Sequence, residues 1–205
     1  MNHPLVLAIT GASGAIYAVR LLELLLLSGR HVELTISPSA SAVLKQELDC
    51  NLNLDAFRLT DLIDLDEHTG RLSYYHYSDI MAPIASGSHL TDGMVICPCS
   101  GTTLSGVAHG TSSNLIQRAA DVHLKERRTL ILVPRETPLS IIQLDSMRQA
   151  AQAGAVILPA SPGWYHGVHA IQDLVDFVVA RILDHLRISH QLMRRWGGDE
   201  DAAGA

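Results

Sequence analysis

Apolar residues along this chain fall into two alternating patterns. Pro4 to Thr10 (PLVLAIT), His31 to Ser37 (HVELTIS), Gly93 to Pro98 (GMVICP) and Thr129 to Val133 (TLILV) are short apolar runs, the pattern of strands in a parallel sheet with both faces covered. Helical stretches lie between them: Ile16 to Ser28 closed by Gly29, Ser39 to Leu48, Ser100 to His109, Asn114 to Lys125 and Ser140 to Ala153. Ala155 to Leu158 reads as a last short strand. A helix follows from Ile171, with Leu174, Val175, Val178 and Ile182 on one face. Pro98 is expected to stop its strand. The section from Asp49 to Ser78 is less regular and predicts loops, a short helix near Leu59 to Leu65 and a strand through Leu72 to Tyr77. There are no internal repeats and no interior linker, so a single domain is expected over residues 1–198, with a frayed acidic tail over 199–205. The alternation predicts an α/β fold: a three-layer, doubly wound parallel sheet, Rossmann- or flavodoxin-like, with right-handed crossovers. In such sheets ligands sit at the carboxyl ends of strands, so chemistry is sought in the loops that follow them.

Composition narrows the partners. The 205 residues include 15 basic and 21 acidic side chains, a formal net charge of −6, which argues against nucleic acid as the main partner. A local basic cluster can still hold a small anion. Cys50, Cys97 and Cys99 are too few for a disulfide framework and lack a set of zinc partners, which points to a reduced, cytoplasmic setting. Leu21 to Leu27 is interrupted by Glu23 and is far shorter than a membrane span, and no export signal is expected.

Four post-strand loops carry candidate chemistry. Gly11-Ala12-Ser13-Gly14 joins strand to helix, and reads either as a tight turn or as a phosphate cradle at a helix start. It is not the dinucleotide fingerprint. Cys97-Pro98-Cys99-Ser100-Gly101-Thr102-Thr103 offers three hydroxyls at another helix start, with the cysteines read as structural because Cys97 falls inside a buried strand. Arg135-Glu136 sits at the mouth of a buried strand, either as a surface salt bridge or as an anion ligand beside a general acid–base group. Pro159 to His169 (PASPGWYHGVH) has the composition of a binding loop. Its His166 and His169 lack further metal ligands, and no metal is expected. Arg127 and Arg128 close a helix, where cations suit the dipole. Arg181 lies among apolar neighbours and is expected to face inward toward an anion.

Taken together, GASGA, SPSA, ASGS at Ala85 to Ser88, PCS and TLS between Pro98 and Ser105, RAADVHLKERR, LVPRETP and PGWYH resemble the UbiX family of flavin prenyltransferases from about Leu5 to Trp196. The segment Asp49 to Ser78 matches poorly, and Trp164 replaces the residue usual before the tyrosine. The resemblance implies transfer of a dimethylallyl group from dimethylallyl phosphate to N5 and C6 of reduced FMN, without a metal. It further implies a homododecamer with sites at subunit contacts, and a UbiD-type decarboxylase, including those of ubiquinone synthesis, as recipient of the prenylated FMN. Carried over by motif, Gly11, Ala12, Ser13, Ser37, Ser100, Gly101, Thr102, Thr103 and Arg135 would contact FMN. Ser86, Arg118, Lys125, Tyr165 and Arg181 would hold the prenyl phosphate, with Trp196 near the prenyl pocket. Ser13, Glu47 and Glu136 would be the catalytic groups. An allylic phosphate leaves only with charge neutralisation, and lysine, arginine and hydrogen-bond donors can supply it where a metal does not. Glu136 suits proton transfer if burial raises its pKa. Two other readings share the FMN loops: a flavin-dependent cysteine decarboxylase-like enzyme and a non-catalytic FMN-binding subunit. The first would use a PASANT-like stretch where this chain has PCSGTT, and the second would lack the phosphate-binding set.

Overall fold

Residues 3–65, 69–165 and 167–193 are described by the computed structural model. In chain order they form β1 (Leu5–Ile9), α1 (Ala15–Leu27), β2 (His31–Ile36), α2 (Pro38–Leu48), β3 (Arg71–Tyr74), β4 (Gly93–Cys99), α3 (Gly101–His109), α4 (Leu115–Lys125), β5 (Leu130–Pro134), α5 (Ile141–Gln152), β6 (Val156–Ile157) and α6 (Ile171–His185). The six strands make one sheet in the order β3-β2-β1-β4-β5-β6, with every pair parallel. The predicted α/β sheet is therefore present. Its direction of growth reverses between β1 and β4, which opens a crevice at the carboxyl ends of those two strands.

The buried runs explain the layering. Leu5, Leu7 and Ile9 pack in a core with α1, α2 and α6, while Val6 and Ala8 point the other way into a core with α3, α4 and Ala150 of α5. A strand whose alternate residues enter two cores must be apolar throughout, and β1 is. Side-chain caps set the helix starts: Ser37 accepts from the Ala40 N–H, Ser100 from Thr103 and Asn114 from Gln117, and Ser140 forms a reciprocal capping box with Gln143.

Two expectations fail locally. The helix predicted near Leu59 to Leu65 is replaced by single 3₁₀ turns at Leu54–Ala56 and Leu59–Asp61. Leu52, Leu54, Phe57 and Leu59 each dip singly toward the α1-side core, so the local apolar spacing reflects individual anchors. The strand near Leu72 to Tyr77 is shifted to Arg71–Tyr74, the length over which it pairs with β2. Nor does Pro98 end β4. The ladder shifts register between Ile96 and Cys99, so that Cys99 pairs with Pro134, and the Pro98 carbonyl instead accepts from Thr10 through both its N–H and its hydroxyl (3.3 and 2.7 Å). No helix among the described residues is long and apolar enough to cross a membrane.

Candidate active site

The loop after β1 is held tightly by α2. A Cβ on Gly11 would lie 2.3 Å from the Ser39 Cβ, so only glycine admits this approach. Ala12 closes a turn onto the Thr10 carbonyl at 2.9 Å. Gly14 has φ +102°, a left-handed value that turns the chain into α1. At the far end of α2, the Glu47 carboxylate accepts from the Gly14 N–H (3.0 Å) and the Ala15 N–H (2.9 Å), capping α1 from another helix. Partial burial pushes the Glu47 pKa up. The Ser13 side chain, these two N–H groups and the nearby Arg135 outweigh it, leaving the carboxyl below its ordinary value. Glu47 is thus a fixed anion that accepts from Ser13.

The loop after β4 lies alongside. Ser100 caps α3 and donates to the Thr103 hydroxyl at 3.0 Å, while its N–H donates to the Thr10 hydroxyl at 2.8 Å. Thr10, absent from the sequence-derived site, is the pin that joins the ends of β1 and β4; its one visible signal was a polar residue closing an apolar run. Gly101 begins α3 beside Gln143, and Thr102 is exposed on the first turn. Cys97 and Cys99 are buried, and burial drives both thiols upward, to about 12 for Cys99, so they are packing groups as expected.

Arg135 follows β5 and reaches back over the first loop, its Nε donating to the Ser13 carbonyl at 3.2 Å. Glu136 does not pair with it. Its carboxylate accepts from the Thr137 N–H at 3.1 Å and the Gln143 side chain at 3.4 Å. Glu136 is exposed in this chain, contrary to the burial on which a raised pKa was premised, because no other part of the described chain covers the start of α5. Gln143 is a second residue that sequence reasoning missed; it was legible only as a helix-start residue. Ser13, Glu47, Ser100, Arg135 and Glu136 therefore converge at the crevice, with Ser37 at the adjoining start of α2.

The phosphate candidates lie elsewhere. Lys125 ends α4, at the strand-start edge of the sheet, whereas Arg135 follows the strand-end edge; β5 alone spans about 13 Å between them. Lys125 pairs with Glu126, and both press on Gly87, where a Cβ would meet them at 2.8 and 2.3 Å. Arg118 donates to the Ala85 carbonyl at 3.1 Å and pairs with Asp121, while the Ser86 hydroxyl bonds Ser88 at 2.9 Å. Arg128, expected to serve the helix dipole, instead donates to the carbonyls of Gly87 and His89. A cavity of about 740 Å³ at this edge is lined by Lys125, Arg127 and Arg128 with the starts of β5 and β6. Tyr165 stacks edge-on against Phe177 of α6, with ring centroids 5.7 Å apart, one turn before Arg181. Arg181 does not face inward as predicted. It is exposed and pairs with Asp184 at 2.8 Å, because the apolar stripe of α6 runs through Val175, Val178, Val179 and Ile182 beside it. Trp196 and His166 lie outside the described residues.

Comparison with known proteins gives a consistent set. Residues 1–183 match the family described as Flavoprotein. The flavin prenyltransferase UbiX of Pseudomonas aeruginosa is 50% identical over 196 residues, covering 93% of this chain and 92% of that protein. Among solved structures, AnUbiX (PadA1) in complex with FMN and dimethylallyl pyrophosphate superposes with a TM-score of 0.85 at 38% identity, covering 98% of this chain and all of that one. A dodecameric FMN-dependent Ubix-like decarboxylase from Escherichia coli O157:H7 superposes at 0.81 with 36% identity, over 95% of this chain and 100% of that one.

Proposed function

Because the chain belongs to the UbiX family of flavin prenyltransferases, we propose that it joins the dimethylallyl group of dimethylallyl phosphate to N5 and C6 of reduced FMN. The observation that carries this reading is the crevice between β1 and β4, where a glycine-tight loop, the hydroxyl-rich start of α3 and Arg135 meet. That set suits a phosphorylated flavin: backbone pressed close at Gly11, hydroxyls at Ser13, Ser37, Ser100, Thr102 and Thr103, and a cation above. Bound FMN supplies the electron-rich N5 and C6. The protein's part is electrostatics and proton handling. Arg118, Lys125 and Arg181 neutralise the phosphate as its C–O bond breaks, and Tyr165 and Ser86 donate neutral hydrogen bonds to it. Glu136 gives a proton to the departing oxygen and takes one from C6. Glu47, held ionised by the first turn of α1, orients Ser13 as a proton relay at N5. By the resemblance alone, Trp196 is assigned to binding the prenyl group.

Since Lys125 and Ser86 sit at one edge of the sheet and Arg135 and Ser13 at the other, one working site draws on more than one copy of the chain. Leu139, Ile141, Ile142 and Leu144 expose an apolar patch beside Glu136, which suits burial by a neighbour. A homododecamer is the proposed assembly. A UbiD-type decarboxylase is the proposed recipient, in a reducing cytoplasm that suits three free thiols. The test is direct. Incubation with reduced FMN and dimethylallyl phosphate should yield flavin heavier by one dimethylallyl unit, and unchanged flavin by mass analysis would refute the reading.

A further inference from the structure

Strand β2 carries a carboxylate where an apolar residue is expected. Val32, Leu34 and Ile36 enter the α1-side core, so Glu33 points to the opposite face, where Tyr75, Ala82 and Ile84 of the chain between β3 and β4 join the second core. Glu33 is 1% exposed. Both its oxygens meet His89 Nε2, at 2.9 and 3.0 Å, and the Tyr75 hydroxyl donates to one of them at 3.2 Å. A buried carboxylate is costly to desolvate, and apolar side chains of similar size are often as stable or more so, which makes the pair weak evidence for stability alone.

What the pair does hold is a backbone. From Ala85 to Thr91 alternate residues are fastened inward: the Ala85 carbonyl by Arg118, the Gly87 and His89 carbonyls by Arg128, the His89 ring by Glu33, and the Thr91 hydroxyl by His123. The residues between them, Ser86, Ser88 and Leu90, are exposed. The segment is a turn, with the His89 N–H donating to the Ser86 carbonyl at 3.2 Å, pinned to the protein on one side so that the Ser86 and Ser88 side chains face out. We propose that His89, anchored by Glu33, is a positioning residue for donor binding: it holds Ser86 and Ser88 outward, beside Lys125, in the orientation that receives the donor phosphate. This rests on the reading of Ser86 and Lys125 given above. Holding the hydroxyls in place before binding spares the donor the cost of ordering them.

The experiment uses the intact assembly loaded with oxidised FMN, so that donor binding is read without turnover. In the double variant Glu33→Leu, His89→Leu the buried pair is replaced by apolar groups, so melting temperature and FMN affinity should be kept. Its dissociation constant for dimethylallyl phosphate should rise about tenfold, equivalent to about 1.4 kcal/mol of lost preorganisation. His89→Gln keeps a donor for Glu33 and should bind the dimethylallyl phosphate within about twofold of the native value, the mark of a restored hydrogen bond. Should the double variant not fold, Arg128→Met, which frees the Gly87 and His89 carbonyls, must weaken donor binding in the same sense. A folded, FMN-loaded variant with native donor affinity overturns the proposal, as does His89→Gln binding as weakly as the double variant. Mass analysis of the flavin after turnover separates the two readings. Donor affinity indifferent to His89 in a protein that prenylates FMN defeats this inference alone. A donor affinity that depends on His89 in a protein that never prenylates FMN upholds the inference and defeats the assigned reaction.

Discussion

Glu47 and Glu136 are both carboxylates near one crevice, yet their surroundings differ, and the proposed reaction gives them opposite tasks. Glu47 is held as an anion by N–H groups and a hydroxyl, which fits it to accept and orient. Glu136 has one backbone and one weak amide contact and stands exposed beside the crevice, free to meet a substrate directly. Glu136→Gln should therefore lower the prenylation rate at least about 100-fold, the typical worth of a general acid–base group, with FMN titrating as in the native protein. A variant turning over at the native rate would remove the assigned role. His123 is expected to make folding sensitive to acid. Burial holds its imidazole neutral and pulls the pKa down to about 4, while its ring bonds the Ala119 carbonyl and the Thr91 hydroxyl. Unfolded, the same group titrates near its ordinary value of 6.5. As pH falls through that window the unfolded chain takes the proton first, so stability drops, in total by about 3 kcal/mol by pH 4. Urea melts of His123→Asn should show a shallower loss between pH 6.5 and 4, by up to about 1.4 kcal/mol per pH unit; equal slopes would contradict the assignment.

At the scale of elements, the meeting of α2 with the β1–α1 loop shapes the proposed flavin side of the site. Ser39 near the start of the helix touches Gly11, and Glu47 near its end caps α1, so the loop is fixed at both ends by one element. Gly11→Ala would drive a methyl group to 2.3 Å from the Ser39 Cβ and lever the helix away. The expected result is a folded protein, seen by an intact far-ultraviolet circular dichroism spectrum, with FMN affinity reduced about tenfold or more by the overpacking. Native FMN affinity would mean that α2 yields without cost. The run PLVLAIT announced β1, and GASGA announced a turn where backbone could come close, because buried strands and glycine turns have local causes. The grip of Glu47 on Gly14 joins residues 33 positions apart and had no local trace. The run SPSAS did carry one, though the sequence pattern places Ser37 in the strand and begins the helix at Ser39; the structure makes Ser37 the cap and begins α2 at Pro38.

The whole molecule sets the outer limit on what one chain can do. Lys125 and Arg135 lie at opposite edges of one sheet, so an assembly that brings edges of different copies together should allow two defective chains to help each other. Lys125→Ala and Arg135→Ala are each expected to be nearly inactive alone. Mixed assemblies, made by co-expression and checked by native mass, should recover a readily measured share of the prenylation rate, since some sites then draw intact residues from both partners. Mixed assemblies no more active than the two variants apart would place the site within one chain.

Which residues build the sheet, where its loops fall and which loops carry small or charged groups were determined by the sequence itself. Strand burial, helix period and caps act over a few residues, and GASGA, PCSGTT and PRETP keep their local meaning wherever the fold puts them. The motif set alone also carries the resemblance to the family. Only the tertiary structure decided that Arg181 faces outward beside Asp184, that Glu136 is uncovered, and that Thr10 pins two strand ends together. It likewise set Lys125 and Ser86 at one edge of the sheet and Arg135 and Ser13 at the other, and turned Glu33 from an oddity within a strand into the anchor of a loop 56 residues away. These are outcomes of packing between distant segments. A residue's own neighbours in sequence decide what conformation it prefers, but which partner meets its charge depends on how sheets and helices close over it.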